Sequence, residues 1–97
     1  MYDRSSSEYR QIPTHLLNKL DAYATAGVSL GHFLTAIVEN DLNKAFAHAD
    51  GDNIHHIAAL TKYVYNQLPN DCWGSASIVT AHRNRIADKV RAAKSVV

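Results

Sequence analysis

The sequence predicts an all-α fold: a small bundle of about four helices built on a central antiparallel helical hairpin. Three observations carry this reading. Leu30, Phe33, Leu34, Ile37, Val38, Leu42, Ala45 and Phe46 recur at helical spacing, opposite His32, Thr35, Glu39, Asn40, Asn43 and Lys44. Helix punctuation brackets the periodic runs, at Gly27, Ser29, Asp50-Gly51-Asp52-Asn53 and Leu68-Pro69. No stretch alternates with the period of two that a half-buried strand requires.

Taken in order, residues 1–11 hold three consecutive serines, mixed charges and no apolar period, and are expected to form a flexible N-terminal arm. Tyr2 and Tyr9 are its possible anchors. A single helical domain follows over 12–97. Ile12-Pro13 opens a helix over about 13–26, since proline suits a first turn where no donor is needed. Leu16, Leu17, Leu20 and Tyr23 give it a narrow apolar stripe, and Gly27 ends it in the left-handed conformation. Ser29 is placed to cap a long second helix over about 30–48. The Asp50–Asn53 turn then starts a third helix, about 53–68, with Ile54, Ile57, Ala58, Thr61, Val64, Tyr65 and Leu68 on one face. Pro69 forbids its continuation. Turn chemistry surrounds Trp73, after which Ser75 or Ser77 caps a fourth helix, about 76–94, with Ile78, Val79, Ile86, Val90 and Ala93 as a thinner face.

Ninety-seven residues suffice for one core and not two. With 46% hydrophobic and 20% charged residues, the composition is that of an ordinary globular protein and argues against disorder. A net charge of +1 excludes a strongly basic coat for nucleic acid, yet the charge is unevenly placed. Residues 1–75 hold five Lys/Arg against eight Asp/Glu, a balance of −3. Residues 76–97 hold five Lys/Arg against Asp88 alone, a balance of +4. A basic helix therefore follows a mildly acidic body. Cys72, the only cysteine, has no partner for an internal disulfide. No apolar run reaches the roughly 18 residues of a membrane span, and the first residues lack a signal-peptide apolar region. The expectation is a cytoplasmic protein.

Three pieces occur together: Gly31-His-Phe-Leu-Thr-Ala-Ile-Val-Glu-Asn-Asp-Leu42, Ala49-Asp50 with Asn53, and Tyr65-Asn66-x-x-Pro69-x-x-Cys72-Trp73-Gly74-Ser75. The combination resembles a group of small uncharacterised proteins encoded by tailed bacteriophages and prophages, over roughly residues 12–79. Position 82, where the group suggests an aromatic residue, is His82, and the basic tail is longer. The resemblance implies expression in the cytoplasm of an infected bacterium and carries no activity with it. Phage accessory proteins of this size commonly bind and block host components, which favours a binder over an enzyme by analogy.

Each chemically suggestive residue has a structural reading beside a functional one. Gly27-Val-Ser-Leu-Gly31 places free N–H groups and a helix dipole where an anion is favoured. Stop, cap and close packing by Gly27, Ser29 and Gly31 explain the same residues, and no P-loop lysine is present. His55 and His56 point about 100° apart on a helix, unsuited to one metal. His48, His55 and the Asp50/Asp52 turn offer only a weak metal pattern. No metal and no cofactor are expected. Cys72 before Trp73 fits a packed small residue better than a nucleophile. Asn40-Asp41 is suited to bonding the Trp73 indole or a nearby loop, or to reading a ligand's polar edge. Arg83, Arg85, Lys89, Arg91 and Lys94 make two basic tracks, either a solvated face or a phosphate-binding one.

The expected function is non-enzymatic binding, with capture of an anionic small ligand, such as a nucleotide signal of host defence, as the sharper form. Gly27, Ser29, Gly31 and His32 would join Arg83 and Arg85 in its pocket. The alternative is an inhibitor or adaptor of a host protein using the basic helix, with Tyr63, Trp73, Lys89 and Arg91 as contacts. A weak nucleic-acid binder is a further alternative. A homo-oligomer, most simply a dimer, is expected because a chain this short leaves apolar surface to cover.

Overall fold

The computed structural model describes residues 4–95, with side chains through Arg91. Five α-helices and three 3-10 turns make up its regular structure, with no strand among the described residues. The helices are α1 (Thr14–Ala26), α2 (Gly31–Val38), α3 (Leu42–His48), α4 (Ile57–Gln67) and α5 (Ala76–Ser95). The all-α class stands, with one more helix than the sequence suggests.

The first helix follows its sequence signals closely. Leu16, Leu17, Leu20 and Tyr23 are buried, and Gly27 closes α1 at φ 67°, its N–H donating to the Tyr23 carbonyl at 2.9 Å. Only glycine enters that left-handed region without cost, so the stop is chemical as well as positional.

The long helix expected over 30–48 does not form. It breaks at Asn40, which sits at φ 60°. The Asn40 N–H donates to the Ile37 carbonyl at 3.1 Å and the Asp41 N–H to the Ala36 carbonyl at 2.9 Å. This pair of bonds is a Schellman termination, in which asparagine tolerates the left-handed site. Asp41 then caps α3, its Oδ1 accepting from the Lys44 N–H at 3.1 Å. A stop and a start are thus fused in adjacent residues. The corner turns α3 away from the stripe of α2. Phe33, Leu34, Ile37, Val38 and Ala45 remain buried, while Leu42 and Phe46 are 57% and 49% exposed. Segment 31–67 therefore runs as three shorter helices in place of the two long arms of a hairpin.

Ahead of α4, the Asp50 Oδ1 accepts from the N–H groups of Asp52 (2.9 Å) and Asn53 (2.7 Å), the expected capped turn. Residues Asn53–His56 form a 3-10 turn before the α-helix begins. The buried face of α4 is Ile57, Leu60, Tyr63 and Val64, rotated from the expected one, which leaves Ile54, Ala58 and Tyr65 exposed.

The segment expected as a flexible arm lies against the body over its described part. Tyr9 is buried edge-on against Tyr63, with ring centroids 5.1 Å apart. Asn66 donates to the Tyr9 hydroxyl at 3.2 Å, Lys62 pairs with Glu8 at 3.0 Å, and Arg4 pairs with Asp21. Tyr2 lies outside the described residues.

Loop 68–75 locks the bottom of the core. The Tyr23 hydroxyl donates to the Cys72 carbonyl at 2.7 Å, and the Gly74 N–H donates to the Val38 carbonyl at the end of α2 at 2.7 Å. Trp73 Nε1 donates to the Leu68 carbonyl at 3.3 Å, so the indole is not the partner of Asn40-Asp41. From this loop α5 departs, its start capped by Ser75 Oγ accepting from the Ile78 N–H at 3.2 Å. Twenty residues make a rod of about 30 Å, which accounts for the long axis of a molecule measuring 46 × 28 × 20 Å. No helix among the described residues is long and apolar enough to cross a membrane.

Candidate functional site on the last helix

The last helix crosses the C-terminal end of α1, and the crossing creates the principal grooves. Two contacts fix it. An alanine Cβ built at Gly27 would stand 3.2 Å from Ile86 Cγ2, so the glycine backbone is the surface on which Ile86 rests. One turn earlier, buried His82 packs edge-on to Tyr23 at 4.9 Å, with Nε2 2.9 Å from the Tyr23 carbonyl. A carbonyl only accepts, so Nε2 carries the proton, and Nδ1 is left to accept from Arg85 at 3.2 Å. The Tyr23 carbonyl thus serves both Gly27 and His82.

Arg85, expected in one pocket with Gly27, lies on the other flank of the crossing and also ties the loop to the helix. Its guanidinium donates to the Asp71 carbonyl at 3.1 Å and pairs with the Asp71 carboxylate at 3.4 Å, holding the loop against α5. Both side chains are well exposed, so the ion pair itself adds at most about 1 kcal/mol.

On one flank of the crossing, Gly27, Thr80, Arg83, Asn84 and Ala87 line an open groove of about 330 Å³. It runs beside a second groove of about 390 Å³ that shares Gly27, Arg83 and Ala87 and adds Ile86, Val90 and Arg91. On the other flank a groove of about 490 Å³ includes Asp71, His82, Arg85, Lys89 and Val90. The polar groups of the first groove are a hydroxyl, a guanidinium and an amide, with no carboxylate in its lining. Among the α5 cations with described side chains, Arg85 and Arg91 have carboxylate partners (Asp71 and Asp88), while Arg83 and Lys89 have none among the described residues.

The other expected site residues disperse. Leu30, not Ser29, occupies the capping position of α2, and no side chain caps that helix. Gly31 is exposed at φ 77° with open space around its Cα, so its need is conformational and not close packing. His32 stacks on His48 at 5.2 Å, in a separate groove of about 160 Å³ with Glu39 and Lys44. The expected helix-start pocket thus reduces to Gly27 with Arg83. Of the expected partner contacts, Tyr63 is fully buried, its hydroxyl donating to Asp21 at 2.6 Å. Trp73 is half-buried beside Tyr65, which is 68% exposed. Lys89 and Arg91 are exposed, as a contact role requires.

Burial pushes the Cys72 thiol up to about 11, with Asp71 adding to the shift, and its Sγ donates to the Pro69 carbonyl at 3.1 Å. A thiol so protonated and enclosed is a poor nucleophile. Burial also raises the Tyr23 and Tyr63 phenols, the latter helped by its bond to Asp21. Among the described residues no group of three or more His, Cys, Asp and Glu is gathered to hold a metal.

Thr80, Asn84 and Val90 carry no chemical signal of their own as site residues; Thr80 and Asn84 enter the groove because they share a helical face with Arg83. His82, one of the chain's six histidines, is the pivot of the crossing. Comparison of the chain with protein-family models, curated proteins and solved structures yields no match.

Proposed function

We propose that this is a non-enzymatic, phage-type binding protein whose working surface is α5, and that the groove beside Arg83 takes a small anionic ligand of about nucleotide size. The observation that carries the reading is the meeting of Gly27 and Arg83 in one groove with Thr80 and Asn84. Arg83 has no counter-charge among the described residues. A volume of about 330 Å³, extended by the neighbouring groove, lies in the range of small-molecule sites. The guanidinium must supply most of the attraction. The Gly27 N–H is already bonded to Tyr23, and the C-terminal end of α1 bears partial negative charge. A nucleotide signal of host defence has the required charge and hydrogen-bonding edges. The thermal-shift test uses cyclic and linear nucleotides with inorganic phosphate as a control. Stabilisation by ligand at 100-fold over Kd should approach about 2.7 kcal/mol and vanish in Arg83→Ala. No shift with any nucleotide would remove the reading.

A second reading, an adaptor that docks a protein with an acidic surface, is supported by exposed Val90 lying between Lys89 and Arg91. Nucleic acid has less support, because Arg85 and Arg91 are already engaged by Asp71 and Asp88.

A further inference from the structure

The apolar stripe of α5 outruns the body that covers its beginning. Val79 is buried and Ile86 rests on Gly27, but Val90, one turn on, is 49% exposed between Lys89 and Arg91. Elsewhere on the same chain an apolar groove of about 150 Å³ opens between α2, α3 and α4, lined by Ala36, Ile37, Leu42, Ala45 and Thr61 with Asp41 at its edge. It exists because the Asn40 corner swings Leu42 and Phe46 into solvent. Asp41 lines it together with Asn40, and the segment 39–54 to which they belong carries Glu39, Asp41, Asp50 and Asp52 against Lys44 alone, a balance of −3. The last helix from 76 onward carries +4.

We infer that the partner of α5 is a second copy of this chain. Val90 seats in the groove beside Leu42 while Lys89 and Arg91 face the acidic residues around α3. This inference takes up the reading of α5 as a contact surface; it shares Val90 and Arg91 with the groove that extends the Arg83 site, and its readout, assembly of the chain, is distinct from ligand binding at Arg83. Apolar knob and apolar groove are complementary, and so are the charges that border them. Pairing α5 with α5 would instead oppose two basic helices, which is unfavourable. Because knob and groove are different surfaces, the contact is head-to-tail, and it closes into a ring or continues as an open chain. It replaces the symmetric dimer expected on size alone. Screening of its charged border makes it weaken with salt.

The test is sedimentation velocity of the full chain over a concentration series at low and high salt. Two charge-reversed forms are compared: Lys89→Glu with Arg91→Glu, and Glu39→Lys with Asp52→Lys. None of these side chains caps a helix or enters the core, and circular dichroism checks each fold. The wild-type chain should assemble with concentration and dissociate with salt, each reversed form should be monomeric, and mixing the two should restore assembly. A wild-type chain that stays monomeric throughout overturns the inference. So does assembly that survives either reversal, or a mixture that fails to recover it. If the monomeric chain still binds a synthetic acidic amphipathic peptide through Val90, α5 serves a foreign partner. The self-contact then fails while the docking role of the helix survives.

Discussion

Replacing the glycines one at a time by alanine separates backbone strain from packing at the α1–α5 crossing. Gly31 sits at φ 77° with nothing near a new Cβ, so Gly31→Ala reports the left-handed cost alone. That cost is about 1–2 kcal/mol, reduced by about 0.4–1 kcal/mol because alanine restricts the unfolded chain. Gly27 bears the same strain at φ 67°, and its Cβ would meet Ile86 at 3.2, 3.3 and 3.5 Å. Ile86 is branched and half-buried, so it yields only by lifting α5 from the end of α1. Overpacking of this kind adds about 1–3 kcal/mol, giving Gly27→Ala a total loss of about 1–5 kcal/mol. Gly51 has neither positive φ nor a close neighbour, so Gly51→Ala should be neutral or slightly stabilising. Thermal unfolding followed by circular dichroism resolves the series, since about 1 kcal/mol shifts Tm by roughly 4–8 °C at this size. Adding Ile86→Ala to Gly27→Ala should make the two losses less than additive. Equal losses at Gly27 and Gly31, or a neutral Gly27→Ala, would refute the packing argument.

Three further outcomes follow from the same geometry. Asn40→Gly should leave stability within about 0.5 kcal/mol, whereas Asn40→Ala should cost about 1 kcal/mol through the left-handed corner; urea midpoints compare the two. Tyr63→Phe removes a donor to a charged carboxylate and should cost about 1.5–3 kcal/mol, with no loss of helical signal at low temperature. Stability should fall in alkali. Cys72, Tyr23 and Tyr63 hold their protons more tightly folded than unfolded, so their contribution is complete below the ordinary values and is lost above them. The decline should begin near the ordinary thiol value of about 8.5 and continue through the folded Cys72 value of about 11. The tyrosines should add to it above about 10. Denaturant midpoints between pH 7 and 11 measure this, and Cys72→Ala should flatten the part below pH 10.

The site was legible in fragments. Arg83 and Gly27 were both visible as chemistry, and bringing them together needed only that α5 return to the end of α1. The residues that complete the groove, Thr80 and Asn84, carry no signal until that crossing is known. Arg85 looked equivalent to Arg83 because both are basic and two residues apart. The opposite faces of a helix gave Arg85 a groove that holds its Asp71 partner and Arg83 a groove with no carboxylate in its lining. Tyr63 and Tyr65 differ in the same way. A period of 3.6 marks a helix but assigns its buried side only through the partner it meets, here Tyr9 and Asp21.

By itself the sequence determined the local matters: helical class, the Leu16–Tyr23 face, the stop at Gly27, the capped turn at Asp50, the break at Pro69 and a serine start at Ser75 or Ser77. These depend on residues within a turn of one another, where φ preference and capping bonds act directly. Tertiary structure decided the corner at Asn40-Asp41, because the apolar spacing from Leu30 to Phe46 fits one unbroken helix as well as two. In the folded chain the bend leaves the Val38 carbonyl to the Gly74 N–H and lays Ala45, not Leu42 or Phe46, in the core. A continuous helix would spend that carbonyl on its own backbone. Asn40 and Asp41 permit the corner locally, through the left-handed site and the cap on α3, and the Gly74–Val38 hydrogen bond spanning 36 residues favours it over the unbroken helix.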